Sequence, residues 1–223
     1  MAPEQRGVCV VLGAGLDGIG GAVASRFAAE GFTVVVSKRK PAPLEALVER
    51  IAAQGWHAVA HPADARSEEE VEGLVAAAEA IGPIRVAVYN VGANPGYVAL
   101  RDTTPRLFQQ NWEMGALGGF LFGRAVAAAM ERRGAGGTIL FTGATSSARA
   151  KAGSSAFAST KAALRALSQA MYRELSPIGV HVSHVVVDGA VEGNPVLLQR
   201  FPERYEKMKA DGLLLSLESV AAS

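Results

Sequence analysis

Residues 13–27 read GAGLDGIGGAVASRF, and the fold turns on this stretch. It follows the apolar run GVCVVL directly and opens an Ala-rich segment of helical character. Gly13, Gly15, Gly18 and Gly20, with Ile19 among them, put residues without side chains where a strand hands over to a helix. There, backbone N–H groups and the positive end of the helix can approach a pyrophosphate, the central group of a dinucleotide. Without the strand before it and the helix after it, the cluster would be only a tight turn.

Outward from this turn, short runs rich in Val and Ile alternate with longer Ala-rich segments. GVCVVL, FTVVVS, WHAVAHPAD, IRVAVYN, GTILFT and HVSHVVV read as strands. Their continuous apolar character suits strands covered on both faces, as in a parallel sheet. The segments 18–31, 42–54, 67–81, 104–133 and 155–176 read as helices, and Ser67 with Glu70 forms a capping-box signal for the third. Strand-helix alternation of this kind predicts a Rossmann-type, doubly wound parallel α/β sheet of about six strands, order 3-2-1-4-5-6, with helices on both faces. Gly115, Gly118, Gly119 and Gly123 in segment 104–133 each cost on the order of 1 kcal/mol against Ala, so a close approach must offset them, on the sheet or on a second subunit. After residue 189 helix-like pieces follow without a further clear strand.

The 223 residues are read as one domain. Hydrophobic residues make up 49% and the formal net charge is +1, which gives no footprint for nucleic acid. The polar start MAPEQRG and the absence of an apolar run near 20 residues predict a soluble, cytoplasmic chain that does not enter a membrane. Partners are then small molecules or other copies of the chain. Cys9 lies within an apolar strand and reads as a buried, inert thiol. His57 and His61 flank one strand while His181 and His184 point to opposite faces of another, so no metal site is expected.

The end of the second strand selects among dinucleotides, because an acid there would hold ribose hydroxyls and a cation would accept a 2′-phosphate. The sequence has Ser37-Lys38-Arg39-Lys40. Lys38 and Arg39 favour NADP(H), with NAD(H) left open; Asp17 inside the turn is a counter-signal, being repulsive toward phosphate.

With these residues in hand the chain resembles the short-chain dehydrogenase/reductase family from Gly13 to about Val191. The family's TGxxxGIG turn is matched by Gly13 through Gly20 with one extra residue, and its NNAG by Tyr89-Asn90-Val91-Gly92. Asp64, followed by Ala65, stands where members use an aspartate against the adenine. The YxxxK motif appears as Phe157-Ala158-Ser159-Thr160-Lys161, and the PG after the sixth strand as Asp188-Gly189. In the family the tyrosine moves the proton that balances hydride transfer, the lysine lowers its pKa and holds the ribose, a serine binds the substrate oxygen, and an asparagine in the long helix supports a water relay.

The resemblance therefore implies roles for Lys161 but finds the serine slot at Ala144 and the asparagine slot at Gly115. A shifted frame brings in Thr145, Ser146 or Ser147; no shift restores a tyrosine at Phe157, and only Tyr97, in the loop GANPGY, is a distant substitute. Asp188 is expected near the nicotinamide. The expectation is an NADP(H)-dependent oxidoreductase with a non-standard proton donor, or else a catalytically silent dinucleotide-binding protein, forming a homodimer or homotetramer through segments 104–133 and 155–176. The family's seventh strand has no counterpart in the sequence.

Overall fold

The computed structural model describes residues 6–92 and 94–223; the first five residues of the polar start lie outside them. Val8–Leu12 (β1) and Thr33–Ser37 (β2) are buried along their whole length, which explains why neither shows polar alternation. Ala58–Ala60 (β3), Ile84–Tyr89 (β4), Gly137–Ala144 (β5) and Val180–Val187 (β6) complete a six-stranded sheet of order β3-β2-β1-β4-β5-β6, all neighbours parallel. The predicted order is the observed one.

Side-chain alternation divides the core in two. Val10, Leu12, Ile139 and Phe141 face the helices Glu68–Ile81 (α3), Gly118–Arg133 (α5) and Ser155–Leu175 (α6), where Val71, Phe122 and Leu164 are buried. Cys9, Val11, Val34 and Val36 face Ile19–Ala29 (α1) and Ala42–Ala52 (α2), with Val23, Leu44, Leu47 and Ile51. Burial raises the Cys9 thiol pKa far above its ordinary value, so the thiolate does not form.

Four details depart from the sequence reading. Segment 104–133 is not one helix: Pro105–Trp112 (α4) passes into α5 through a π turn, Glu113–Leu117. The buried Tyr89 hydroxyl donates to the Met114 carbonyl freed there. β3 is shorter than residues 56–64 because its pairing with β2 covers only Ala58–Ala60, and Pro62 follows. Beyond β6, Ala190–Val191 (β7) and Leu214–Leu215 (β8) pair with each other in a two-stranded ladder that the sequence did not signal. Around it lie Pro195–Arg200 (α7), Pro202–Ala210 (α8) and Leu217–Ala222 (α9), the last packed on α1. The Ser67 hydroxyl caps α3 by accepting from Glu70 N, but the Glu70 carboxylate accepts from Asp64 N and not from Ser67, so the box is half made. Among the described residues no helix is long and apolar enough to cross a membrane.

The glycines of the π turn and α5 are explained within the chain. A Cβ at Gly118 would overlap the Tyr89 hydroxyl, one at Gly119 the Leu164 side chain, and one at Gly123 would lie 2.8 Å from Met171 Cε. They seat α5 against β4 and α6 within the chain.

The kind of atom met sets the cost of filling such a gap. Gly20→Ala would drive a methyl into the Gly13 carbonyl and to 2.9 Å from Ala14 Cα, fixed backbone atoms. Gly119→Ala meets the tip of a leucine, which can rotate, while gaining about 1 kcal/mol of helix propensity. Urea unfolding should show Gly20→Ala losing about 2 kcal/mol or more and Gly119→Ala staying within about 1 kcal/mol of the parent.

Candidate active site

The glycine turn is built by contact. Gly13 has φ +96°, and a Cβ on it would lie 2.7 Å from the Asn90 carbonyl, so only glycine lets β1 leave the sheet beside β4. Asn90 Nδ2 donates to the Gly13 carbonyl at 3.1 Å, and Asn90 N donates to Leu12 O, tying the turn to the end of β4. A Cβ on Gly21 would overlap the Gly15 carbonyl, so Gly21, which the sequence pattern did not single out, joins Gly13 and Gly20 as a glycine that the packing requires. Gly18 meets nothing within 4 Å: its missing side chain leaves open space at the start of α1, next to Asp17 and Ile19 in the wall of the main cleft.

Two cavities meet at Asn90 and Gly92. The smaller, about 240 Å³, is lined by Gly13, Lys38, Arg39, Asp64, Ala65 and Val91 among others. The Lys38 ammonium lies 3.2 Å from where a Gly15 Cβ would be, folded over the turn. Arg66, which the sequence reading passed over, grips Asp64: Nη2 donates at 2.6 Å and Nε at 3.0 Å, while Arg66 N donates at 3.0 Å. These bonds from Arg66, with Arg39 adding attraction, hold the Asp64 pKa below its ordinary value. The Asp64 carboxylate is thus ionised and fixed in place in the wall of the smaller cavity.

The larger cleft, about 840 Å³, runs under the carboxyl ends of β5 and β6. Its wall includes Ala144, Thr145, Ser146, Phe157, Lys161, Asp188, Gly189 and Val191, so the slots the sequence named at the end of β5, in α6 and after β6 come together. Asn194, Leu197, Arg204 and Met208 close it from the carboxy-terminal side. Phe157 lies on the first turn of α6 and Lys161 one turn on, its Nζ 5.9 Å from the ring centroid. Lys161 is only 5% exposed, and its Nζ donates to Thr142 O at 2.7 Å. Burial lowers its pKa to about 8. Gly92 keeps room above that ammonium, since a Cβ there would stand 3.4 Å from Nζ.

The remaining slots are placed by contacts the sequence does not reveal. Gly115 is buried against Thr160, and a Cβ there would overlap Thr160 Cγ2; any side chain at the asparagine slot is shut out. Asp188 is exposed and accepts from the Thr145 hydroxyl, with Arg149 3.7 Å away, so it is held at the cleft's rim. Tyr97 rests on Gly153, where a Cβ would overlap its ring, and it is absent from the cleft wall. It is no substitute for a tyrosine at 157. His184 packs over Gly143 behind Lys161; its Nε2 is buried with no hydrogen-bond partner among the described residues, and burial, then Lys161, lowers its pKa. No group of three His, Cys, Asp or Glu is placed to hold a metal among the described residues.

With this geometry established, similarity to other proteins identifies the family. Residues 7–194 match the pattern of the short chain dehydrogenase family. Dehydrogenase/reductase SDR family member 4 of Homo sapiens is 30% identical over 76% of this chain, which spans 61% of that protein. A short-chain dehydrogenase from Rhodopseudomonas palustris of solved structure is 38% identical, covering 96% of this chain and 98% of its own, at a TM-score of 0.78. An actinorhodin polyketide ketoreductase crystallised with NADPH is 28% identical, covering 100% and 90%, at a TM-score of 0.89. Sheet order, glycine turn, Lys161 and sequence similarity agree, and the chain belongs to the short-chain dehydrogenase/reductase family.

Proposed function

We propose that this protein is an NADP(H)-dependent oxidoreductase of a small carbonyl or alcohol substrate, in which Lys161 itself handles the proton that a tyrosine handles elsewhere in the family. The observation that carries the reading is the buried Lys161 ammonium beside Phe157 in the wall of the cleft. The residues fit the dinucleotide: the Gly13–Gly20 turn leaves open space at the start of α1, and the smaller cavity offers Lys38 and Arg39 to a 2′-phosphate and Asp64 to an adenine amino group. The related ketoreductase crystallised with NADPH supports the same preference. When bound, the cofactor supplies the hydride; the protein supplies orientation and proton transfer.

Phe157 has no exchangeable proton, and Ala144 offers nothing to a substrate oxygen. Thr145 already gives its hydroxyl proton to Asp188, and Asp188 is a solvated carboxylate. Lys161 is the buried titratable group in the wall, with a pKa near the working range of a general acid. It delivers a proton from Nζ toward a carbonyl oxygen, directly or through one water, and is recharged from solvent. Ser146 orients the substrate from the same wall. The segment 189–223 covers the cleft, and the exposed Phe108, Trp112, Leu117 and Phe120 on α4, the π turn and α5 form the surface through which we propose homo-oligomers assemble in the cytoplasm. A second reading, a silent dinucleotide-binding sensor or partner subunit, is favoured by the three absent side-chain groups at 115, 144 and 157.

Fluorescence titration should show tighter binding of NADPH than of NADH, with Arg39→Ala removing most of the difference; equal affinities in the parent would reject the cofactor preference. Ketone reduction by the parent should be slow, and Phe157→Tyr with Ala144→Ser should raise it by about 10²–10⁴. A parent that binds NADPH yet reduces no member of a broad carbonyl and alcohol panel, while the double variant does, would favour the silent reading.

Lys161 also leaves a mark on stability. Its folded pKa of about 8 lies below the roughly 10.4 of an unfolded lysine, so between those values the unfolded chain holds the extra proton and stability rises with pH. Below pH 8 both states are charged and the burial cost is complete. Lys161→Met should therefore stabilise the cofactor-free protein at pH 7 by about 1–3 kcal/mol in urea unfolding, and the difference should shrink toward pH 10. A variant less stable at both pH values would show that the Thr142 bond outweighs desolvation.

A further inference from the structure

Of the lysines in the chain, Lys38, Lys40, Lys151, Lys207 and Lys209 are exposed. Lys161 alone among them is buried, and it is buried in the wall of the larger cleft. Each element around it presents something other than a counter-ion. β5 offers the Thr142 carbonyl, the Phe157 ring stands one turn back on α6, Gly92 follows β4, and His184 on β6 packs over Gly143. Among the described residues no carboxylate pairs with Nζ, and desolvation is what acts on its charge.

Hydrogen bonding favours the uncharged nitrogen as well. An ammonium has three N–H donors, and the protein gives this one a single acceptor, Thr142 O at 2.7 Å. A neutral amine that donates there keeps a lone pair for another partner. An iminium nitrogen on lysine carries one N–H, which one carbonyl satisfies while its negative end faces the positive charge. Space is available beside Nζ: Gly92 borders both cavities, and a Cβ on it would stand 3.4 Å from Nζ and 3.6 Å from Cε. Ala144, Val191, Leu197 and Met208 in the wall of the cleft suit a small apolar guest.

We propose that Lys161 is also a nucleophile, and that in the cofactor-free protein its amine condenses with a small apolar ketone or aldehyde to a Schiff base that activates the α-carbon. Nζ bonds to the carbonyl carbon, and a proton passes from nitrogen to the carbonyl oxygen. One solvent proton then carries the hydroxyl off as water, leaving the iminium with its N–H on Thr142 O. The iminium draws electrons from the neighbouring carbon, so water removes an α-proton and the C–H pair becomes the C=C of an enamine. Protonation at that carbon and addition of water return the ketone and the free amine. Nothing is oxidised or reduced, so water is the only co-reactant. The amine form is supplied by the same burial: with a pKa of about 8, about 10% of Lys161 is neutral at pH 7, against about 0.04% of an exposed lysine.

Reductive trapping tests this in the whole chain without any nucleotide. With cyclohexanone and cyanoborohydride at pH 7, peptide mapping of the unmodified protein should place the cyclohexyl group on Lys161 at least tenfold faster than on any exposed lysine. In D₂O without the reductant, proton NMR should show the protein exchanging the α-hydrogens of cyclohexanone at least tenfold faster than Lys161→Arg, which keeps a cationic donor near Thr142 O but has no nucleophilic amine. Label spread over the exposed lysines with Lys161 no faster, no label at all, or equal exchange by Lys161→Arg would overturn the proposal. The mapping needs no variant, so it decides even if Lys161→Arg fails to fold. The activity shares a site with the proposed reduction but not its cofactor. A protein that binds and uses NADPH yet is never labelled would refute the Schiff base alone, and one labelled at Lys161 that reduces no carbonyl compound would refute the reductase alone.

Discussion

A side chain at residue 20 or 21 would have nowhere to go, because α1 sits with its first turn directly on the Gly13 and Gly15 carbonyls. That contact sets how close the helix lies to the end of β1, and Asn90 fixes the other side of the same turn by donating to Gly13 O. β1, α1 and β4 are thereby locked around one short piece of backbone. The two cavities meet beside this junction, at Asn90 and Gly92. Moving the turn would move both cavities.

A second constraint comes from Lys161. Its charge is held almost out of water with one carbonyl, Thr142 O, as its hydrogen-bond acceptor, an arrangement that desolvation opposes. His184 behind it and the Phe157 ring beside it add no opposite charge. A buried lysine so poorly compensated is a cost to folding, and such costs concentrate where chemistry needs a group near neutrality. Phe157 sharpens this: a ring with no proton leaves the ammonium as the inner titratable group of the cleft.

The same economy of side chains appears at the asparagine slot. Thr160 occupies the space that a residue larger than glycine at 115 would need, so the loss there is built into the packing of α6 against the π turn. Tyr89 helps to hold that turn by donating to Met114 O, which links the distortion to the end of β4 and so to Asn90. Site and core are therefore one packing problem.

How much the sequence determined follows from the range of the interactions involved. The six strands and the glycine turn are written in local patterns, apolar runs covered on both faces and glycines between a strand and a helix, while the strand order is that of the dinucleotide-binding fold the turn points to. The slots at 144, 157, 161 and 188 could be named only through the motifs of the family the chain resembles, and the cleft gathers them because parallel strands end on the same side of the sheet. Other features depend on residues distant in the chain. The break in segment 104–133 needs Tyr89 to reach Met114, the clamp on Asp64 needs the Arg66 side chain to turn back, and the closure of the slot at Gly115 needs Thr160 from another helix. The β7–β8 ladder joins two-residue strands, too short for any periodicity to register. The low pKa of Lys161 is likewise absent from SSAFASTK, because desolvation is a property of everything packed around a charge and not of its neighbours in the chain.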